Sequence, residues 1–85
     1  MPMPRNNQLL YKKLRWQARR GMLELDLVLE NFLQTQLDQL SDREVELLKK
    51  LLAEPDTSLY HWIYKITPTE KPEYHDLIKK MQQLV

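Results

Sequence analysis

The sequence predicts an all-α fold, a single small five-helix bundle. Three observations carry this expectation. Apolar residues recur at spacings of three and four, the mark of a helix with one buried face. No segment alternates apolar and polar residues with the period of two that a strand needs. The breakers are sparse, one Gly and five Pro among 85 residues, and several of them fall between the periodic segments. A chain of this length makes one domain, residues 1–85, and buries about 60–65% of its unfolded surface. It has little room for a deep catalytic cleft. Residues 1–7 are expected to form a flexible N-terminus.

The first helix is expected from about Gln8 to Arg19, with Leu10, Leu14, Tyr11 and Ala18 facing inward. That stripe is thin and suits an edge position. The second helix is expected from about Leu23 to Leu40. Leu25, Val28, Leu29, Phe32, Leu33 and Leu37 make its buried face, the longest in the chain and the spine of the core. Ser41-Asp42-Arg43-Glu44 reads as a capping box: the Ser hydroxyl accepts from the third helical N–H, and the Glu reaches back to the cap N–H. The third helix then runs to about Ala53, with Val45, Leu48, Leu51 and Leu52 inward, and Glu54-Pro55 stops it. Asp56 or Thr57 is expected to cap the fourth, where Leu59, Trp62, Ile63 and Ile66 repeat at helical spacing until Thr67-Pro68. Pro72 fits the first turn of the fifth helix, whose inner face is Tyr74, Leu77, Ile78, Met81 and Leu84.

The one glycine, Gly21, stands between the first two helices. There it predicts a left-handed residue that ends one helix and turns the chain into the next. Arg19 and Arg20 precede it and Glu24 follows. Local physics accounts for these types, since cations suit a helix C-terminus and anions an N-terminus. The same residues also make the hairpin tip a candidate working surface.

Charge is divided along the chain. Residues 1–23 hold six Lys or Arg and no acid, a charge of +6; residues 24–85 hold seven Lys or Arg and twelve acids, a charge of −5. Such a basic end either pairs with the acidic body or meets an acidic partner, nucleic acid or anionic lipid. The chain has no cysteine, which excludes disulfides, thiolate metal sites and cysteine nucleophiles. No apolar run approaches the roughly 20 residues that span a bilayer, so no membrane insertion is expected. The first residues lack the apolar core of a secretory signal and the length of a transit peptide, so the expected compartment is a bacterial cytoplasm.

Catalytic constellations are missing. His61 and His75 lie on different predicted helices without metal-ligand spacing, and one Gly cannot build a phosphate cradle. No metal and no catalytic residue is expected. Asp26 and Glu30 fall four apart on the polar face of the second helix and read as a solvated pair. Trp62 with Tyr60, Tyr64 and Tyr74 is a candidate surface for stacking bases, but Trp62 falls on an apolar stripe and reads as core. Trp16 falls off the Leu10/Leu14 face beside Arg15 and Arg19. It either contacts a partner or packs on the second or fifth helix.

The stretch from Ala18 to Leu33, with its run Arg19-Arg20-Gly21-Met22-Leu23-Glu24-Leu25-Asp26, closely resembles the SdhE (YgfY) family. These are FAD assembly, or flavinylation, factors of succinate dehydrogenase and fumarate reductase. The family hallmark Arg-Gly-x-x-Glu is matched by Arg20, Gly21 and Glu24. Leu40–Leu52 is similar to the family's acidic third helix, and Asp56, Leu59 and Trp62 to its Asp-x-x-Leu-x-x-Trp stretch. The family often places a Gly soon after that Trp, where this chain has Tyr64-Lys65. The resemblance implies a five-helix bundle that is not an enzyme. It implies binding to the flavoprotein subunit of either complex and promotion of covalent FAD attachment there. FAD then belongs to the client and is not held stably by this chain, and the nucleophilic histidine is the client's. Arg20, Gly21, Glu24, Arg19, Met22 and Asp26 are the implied partner-binding residues. Arg20 is expected to reach client carboxyls or carbonyls, Gly21 to allow close approach, and Glu24 to orient Arg20 or pair with a client base. Arg20→Ala and Gly21→Arg are expected to keep the fold and lose flavinylation. The implied state is a monomer or weak dimer. A protein-binding antitoxin using the same surface is the alternative; binding of nucleic acid is not expected, because the body is acidic and no recognition motif is present.

Overall fold

A computed structural model describes residues 7–85, with side chains from Leu9 onward. The expected flexible segment thus lies outside the described residues, apart from Asn7, which begins the first helix. Five α-helices follow in order: α1 (Asn7–Ala18), α2 (Leu23–Gln36), α3 (Asp42–Leu52), α4 (Asp56–Ile63) and α5 (His75–Gln82). Short 3₁₀ turns at Leu37–Gln39 and Pro72–Tyr74 lead into the α2–α3 connection and into α5.

The helices exist where apolar periodicity meets a stop signal, and they assemble around one apolar cluster. α2 gives it Leu25, Val28, Leu29, Phe32 and Leu33, all at most 4% exposed. α1 packs along α2 through Leu14 and Ala18, with Leu10 and Tyr11 half-buried at the margin. Leu48, Leu51 and Leu52 come from α3, Leu59, Trp62 and Ile63 from α4, and Leu77, Ile78 and Met81 from α5. Trp62 is core as expected, 6.1 Å from the Tyr74 ring.

Three features, one in α2 and two in α4, depart from the sequence expectation. α2 stops at Gln36, and the chain tightens into a 3₁₀ turn that still buries Leu37. One residue before that point the Thr35 hydroxyl donates to the Asn31 carbonyl at 2.8 Å, a competition with the helix backbone that weakens continuation. Neither Asp56 nor Thr57 caps α4. Pro55 takes the N-cap position in extended geometry without a side-chain cap, and Asp56 is the first helical residue. Ile66, expected inward, is 55% exposed because α4 ends three residues earlier.

That early end is a full Schellman motif. The N–H of Ile66 donates to the His61 carbonyl at 2.8 Å and that of Lys65 to the Trp62 carbonyl at 3.3 Å. The residue in left-handed conformation, where glycine is preferred, is Lys65 with φ 62°. Gln82 of α5 donates to the same Trp62 carbonyl at 2.9 Å, so α5 closes the end of α4.

The capping box at Ser41 is present. Glu44 N–H donates to Ser41 Oγ at 3.2 Å, and Ser41 N–H to Glu44 Oε1 at 2.9 Å. Lys80–Glu44 at 3.0 Å ties α5 to α3, and Lys71–Glu54 at 2.6 Å ties the entry of α5 to the α3–α4 connection, with Tyr74 Oη also donating to Glu54 at 3.1 Å.

Candidate functional site at the α1–α2 hairpin tip

Between Ala18 and Leu23 the chain reverses in four residues. Gly21 makes the turn with φ 77°, as the lone glycine predicted. Met22 then precedes α2 in extended geometry and offers no side-chain cap. Asp26, one turn into α2, reaches back instead. Its Oδ1 accepts from Arg20 N–H at 2.7 Å and its Oδ2 from Gly21 N–H at 3.2 Å. One carboxylate therefore holds two consecutive amides of the turn, near the positive end of α2 where an anion is favoured. Asp26 is not half of a solvated acidic pair. Glu30, its expected companion, pairs with Arg15 of α1 at 3.2 Å.

Arg20 points inward. Its side chain is only 13% exposed. One guanidinium nitrogen donates to the backbone carbonyl of Leu52 and another meets Asp56 Oδ1 at 3.4 Å. Leu52 is the last residue of α3, so its carbonyl has no partner within that helix and lies at the negative end of the helix dipole. Asp56 stands in the first turn of α4. A single side chain thus ties the hairpin turn to the α3–α4 corner. The Nε atom of Arg20 is buried without a protein partner. The hallmark arginine is therefore spent inside the molecule, and its orientation comes from Leu52 and Asp56. Glu24 plays no part in that: its carboxylate makes no hydrogen bond or ion pair among the described residues, while its backbone carbonyl accepts from Tyr64 Oη at 3.3 Å. Burial, then the nearby Glu24 and Tyr60, push the Tyr64 phenol above its ordinary value, which keeps this hydroxyl a donor.

The outer side of the tip is bare. Gly21 is exposed, and a Cβ built on it meets nothing within 4 Å. Arg19 and Glu24 flank it, exposed and without ion-pair partners among the described residues. Met22 is half-buried against the core. The six residues implied by the resemblance therefore separate by position. Gly21, Arg19 and Glu24 form the presented face, Arg20 and Asp26 hold it from behind, and Met22 sits between.

Beside the tip runs an open groove of about 260 Å³ between α1 and α2, lined by Arg15, Ala18, Arg19, Leu23, Asp26, Leu27, Glu30 and Leu33. Leu23 and Leu27 on its wall are 69% and 61% exposed. Sequence reading passed over these two leucines. Their signal was available: they lie four apart, opposite the Leu25/Val28/Leu29/Phe32 stripe, where a helix needs no apolar side chain. Asp56 as the partner of Arg20 was not signalled by spacing at all. Among the described residues, no cluster of three or more His, Cys, Asp or Glu could hold a metal ion, and His61 and His75 are exposed on separate helices.

A family model described as "Flavinator of succinate dehydrogenase" (Sdh5) matches residues 12–85, which includes the whole hairpin. The chain belongs to this family. Curated relatives agree. It is 43% identical over 79 residues to "FAD assembly factor SdhE" of Coxiella burnetii, covering 93% of this chain and 96% of that one. The relative of the same name from Legionella pneumophila (strain Lens) is 41% identical over 59 residues, 69% of this chain and 75% of its own. That from Haemophilus influenzae (strain Rd) is 33% identical over 76 residues, 87% and 89% of the two chains. No solved structure gives a significant match. Members of this family are thus named as assembly factors rather than as catalysts.

Proposed function

We propose that this protein is an assembly factor that binds the flavoprotein subunit of succinate dehydrogenase or fumarate reductase and promotes covalent attachment of FAD to it. The observation that carries the proposal is the hairpin tip: a glycine with open space above it, flanked by an arginine and a glutamate that have no ion-pair partner among the described residues, on a turn locked from behind by Asp26 and Arg20. Family membership supports the choice of client.

A rigid tip of this kind works by position. It lets a partner's backbone approach Gly21 while Arg19 and Glu24 each meet an opposite charge. Orienting the client's flavin-binding region can speed a reaction between groups the client already holds, without any reacting group from the factor. FAD is bound and modified in the client, and the factor acts in trans without retaining the flavin. Bacterial relatives favour the bacterial cytoplasm as the place of action, and no described helix is long and apolar enough to cross a membrane.

The test compares two substitutions at Gly21. Gly21→Ala and Gly21→Arg impose the same backbone strain, about 1–2 kcal/mol, but only the arginine fills the space in front of the tip. The expected result is that the alanine form still supports flavinylation and the arginine form does not, with both folded. Full activity of Gly21→Arg would count against docking through the tip.

A further inference from the structure

Trp16 is 79% exposed, more than any other large apolar side chain described. It stands on the outer face of α1, away from the core contacts of Leu14 and Ala18, so it does not pack on α2 or α5. Lys12, Lys13, Gln17 and Lys49 of α3 surround it and line a shallow hollow of about 640 Å³. α1 contains no acidic residue. Lys12, Lys13 and Arg19 have no ion pair among the described residues; Lys49 pairs with Glu46 on its own helix. Among the described residues, the intramolecular reading of the basic end therefore covers Arg15, held by Glu30, and Arg20, held by Asp56. An exposed indole beside Lys12 and Lys13, neither of them ion-paired among the described residues, is the composition of an interface anchor.

This face is continuous with the hairpin tip. Arg15 and Arg19 line a shallow depression with Lys12 and Trp16 on one side and the α1–α2 groove with Leu23 and Leu27 on the other. We propose that the outer face of α1 is a second contact of the docking surface, and that it receives an acidic segment of the client flavoprotein subunit. Trp16 enters an apolar slot on that segment, and client carboxylates pair with Lys12, Lys13 and Arg19. Charge complementarity sets the sign of the partner. The neighbouring exposed leucines select protein over nucleic acid, whose backbone offers nothing to Leu23 or Leu27. The inference rests on the proposed client.

The experiment measures binding of the full-length protein to the isolated flavoprotein subunit by calorimetry, for the unaltered chain, Trp16→Ala, the pair Lys12→Glu with Lys13→Glu, and Gly21→Arg. Trp16, Lys12 and Lys13 are exposed, so circular dichroism is expected to show unchanged folding. Trp16→Ala is expected to weaken binding by about tenfold or more. The charge-reversed pair is expected to weaken it further at low salt than at high salt. Trp16 emission is expected to shift to the blue on binding as the indole leaves water. Unchanged affinity in both variants, with Gly21→Arg still disruptive, would overturn the α1 contact and leave the client assignment standing. No binding by the unaltered chain would overturn both. Trp16-dependent self-association of the protein alone, or Trp16-dependent binding of single-stranded RNA with no change in client affinity, would also overturn the α1 contact by giving the face another occupant.

Discussion

Arg20 changes what a substitution at the hallmark means. Its hydrogen bonds satisfy the Leu52 carbonyl and engage Asp56, so its loss leaves a helix end and a carboxylate without their cation. Hydrogen bonds to charged groups contribute about 1.5–3 kcal/mol. We expect Arg20→Ala to lower unfolding free energy by about that amount in urea titration; an unchanged midpoint and slope would contradict the inward role. Arg20→Ala thus combines a loss of stability with any loss of docking, and Gly21 becomes the cleaner probe of docking. Lys65 is the opposite case. It holds a left-handed conformation that costs an L-residue about 1–2 kcal/mol and is exposed. Lys65→Gly is expected to raise stability by about 1 kcal/mol, the gain being offset in part by glycine's greater unfolded-state freedom. A drop in thermal midpoint would show that the Lys65 side chain contributes more than its backbone costs. At this scale the sequence disclosed Gly21 completely, because one residue type owns that conformation. It did not disclose the direction of Arg20, because its partners lie 32 and 36 residues further on and no local pattern points to them.

Helix boundaries divide in the same way. The start of α3 was legible because Ser41 and Glu44 satisfy each other within one turn. The end of α2 was not, because Leu37 keeps the apolar period while the backbone tightens, and periodicity cannot distinguish the two. The start of α4 was misread because Asp56 suits an N-cap by type, yet it serves Arg20, and Pro55 enters the helix without a cap. The box at α3 makes a pH prediction. The Ser41 amide, then Lys80, hold the Glu44 carboxyl below the ordinary glutamate range. A folded pKa below the unfolded one means that this stabilisation is present above the ordinary glutamate value, about 4.3, and is lost as pH falls through the depressed value. Glu54 behaves likewise, lowered chiefly by Lys71. Glu44→Gln, which removes the titrating carboxyl, is expected to make the loss of stability below pH ~4 shallower, whereas Ser41→Ala keeps the Ser41 amide and is expected to cost about 1 kcal/mol at neutral pH without removing that slope. A constant difference between Glu44→Gln and the unaltered protein across that range, followed by thermal melts, would contradict the linkage.

Across the whole molecule, the resemblance in sequence and the contacts in space describe one object. The Arg-Gly-x-x-Glu hairpin and the Asp-x-x-Leu-x-x-Trp helix are separate stretches of chain, and the Arg20–Asp56 contact joins them. Behind that joint lies the core built from all five helices; in front of it lie Arg19, Gly21 and Glu24. The fold class and the helix order were legible because apolar periodicity is strong in α2 and the breakers are few. The division between presented and supporting residues was not, since it depends on how α3 and α4 meet the turn. Among the described residues, the charge asymmetry of the chain survives folding as a basic α1 on which Lys12, Lys13 and Arg19 have no acidic partner. The most direct test of the central claim is covalent flavin on the cognate succinate dehydrogenase flavoprotein subunit, read as in-gel fluorescence with this protein absent, present, and present as Gly21→Arg. A strong signal is expected only with the unaltered protein. Equal fluorescence in all three lanes would contradict it.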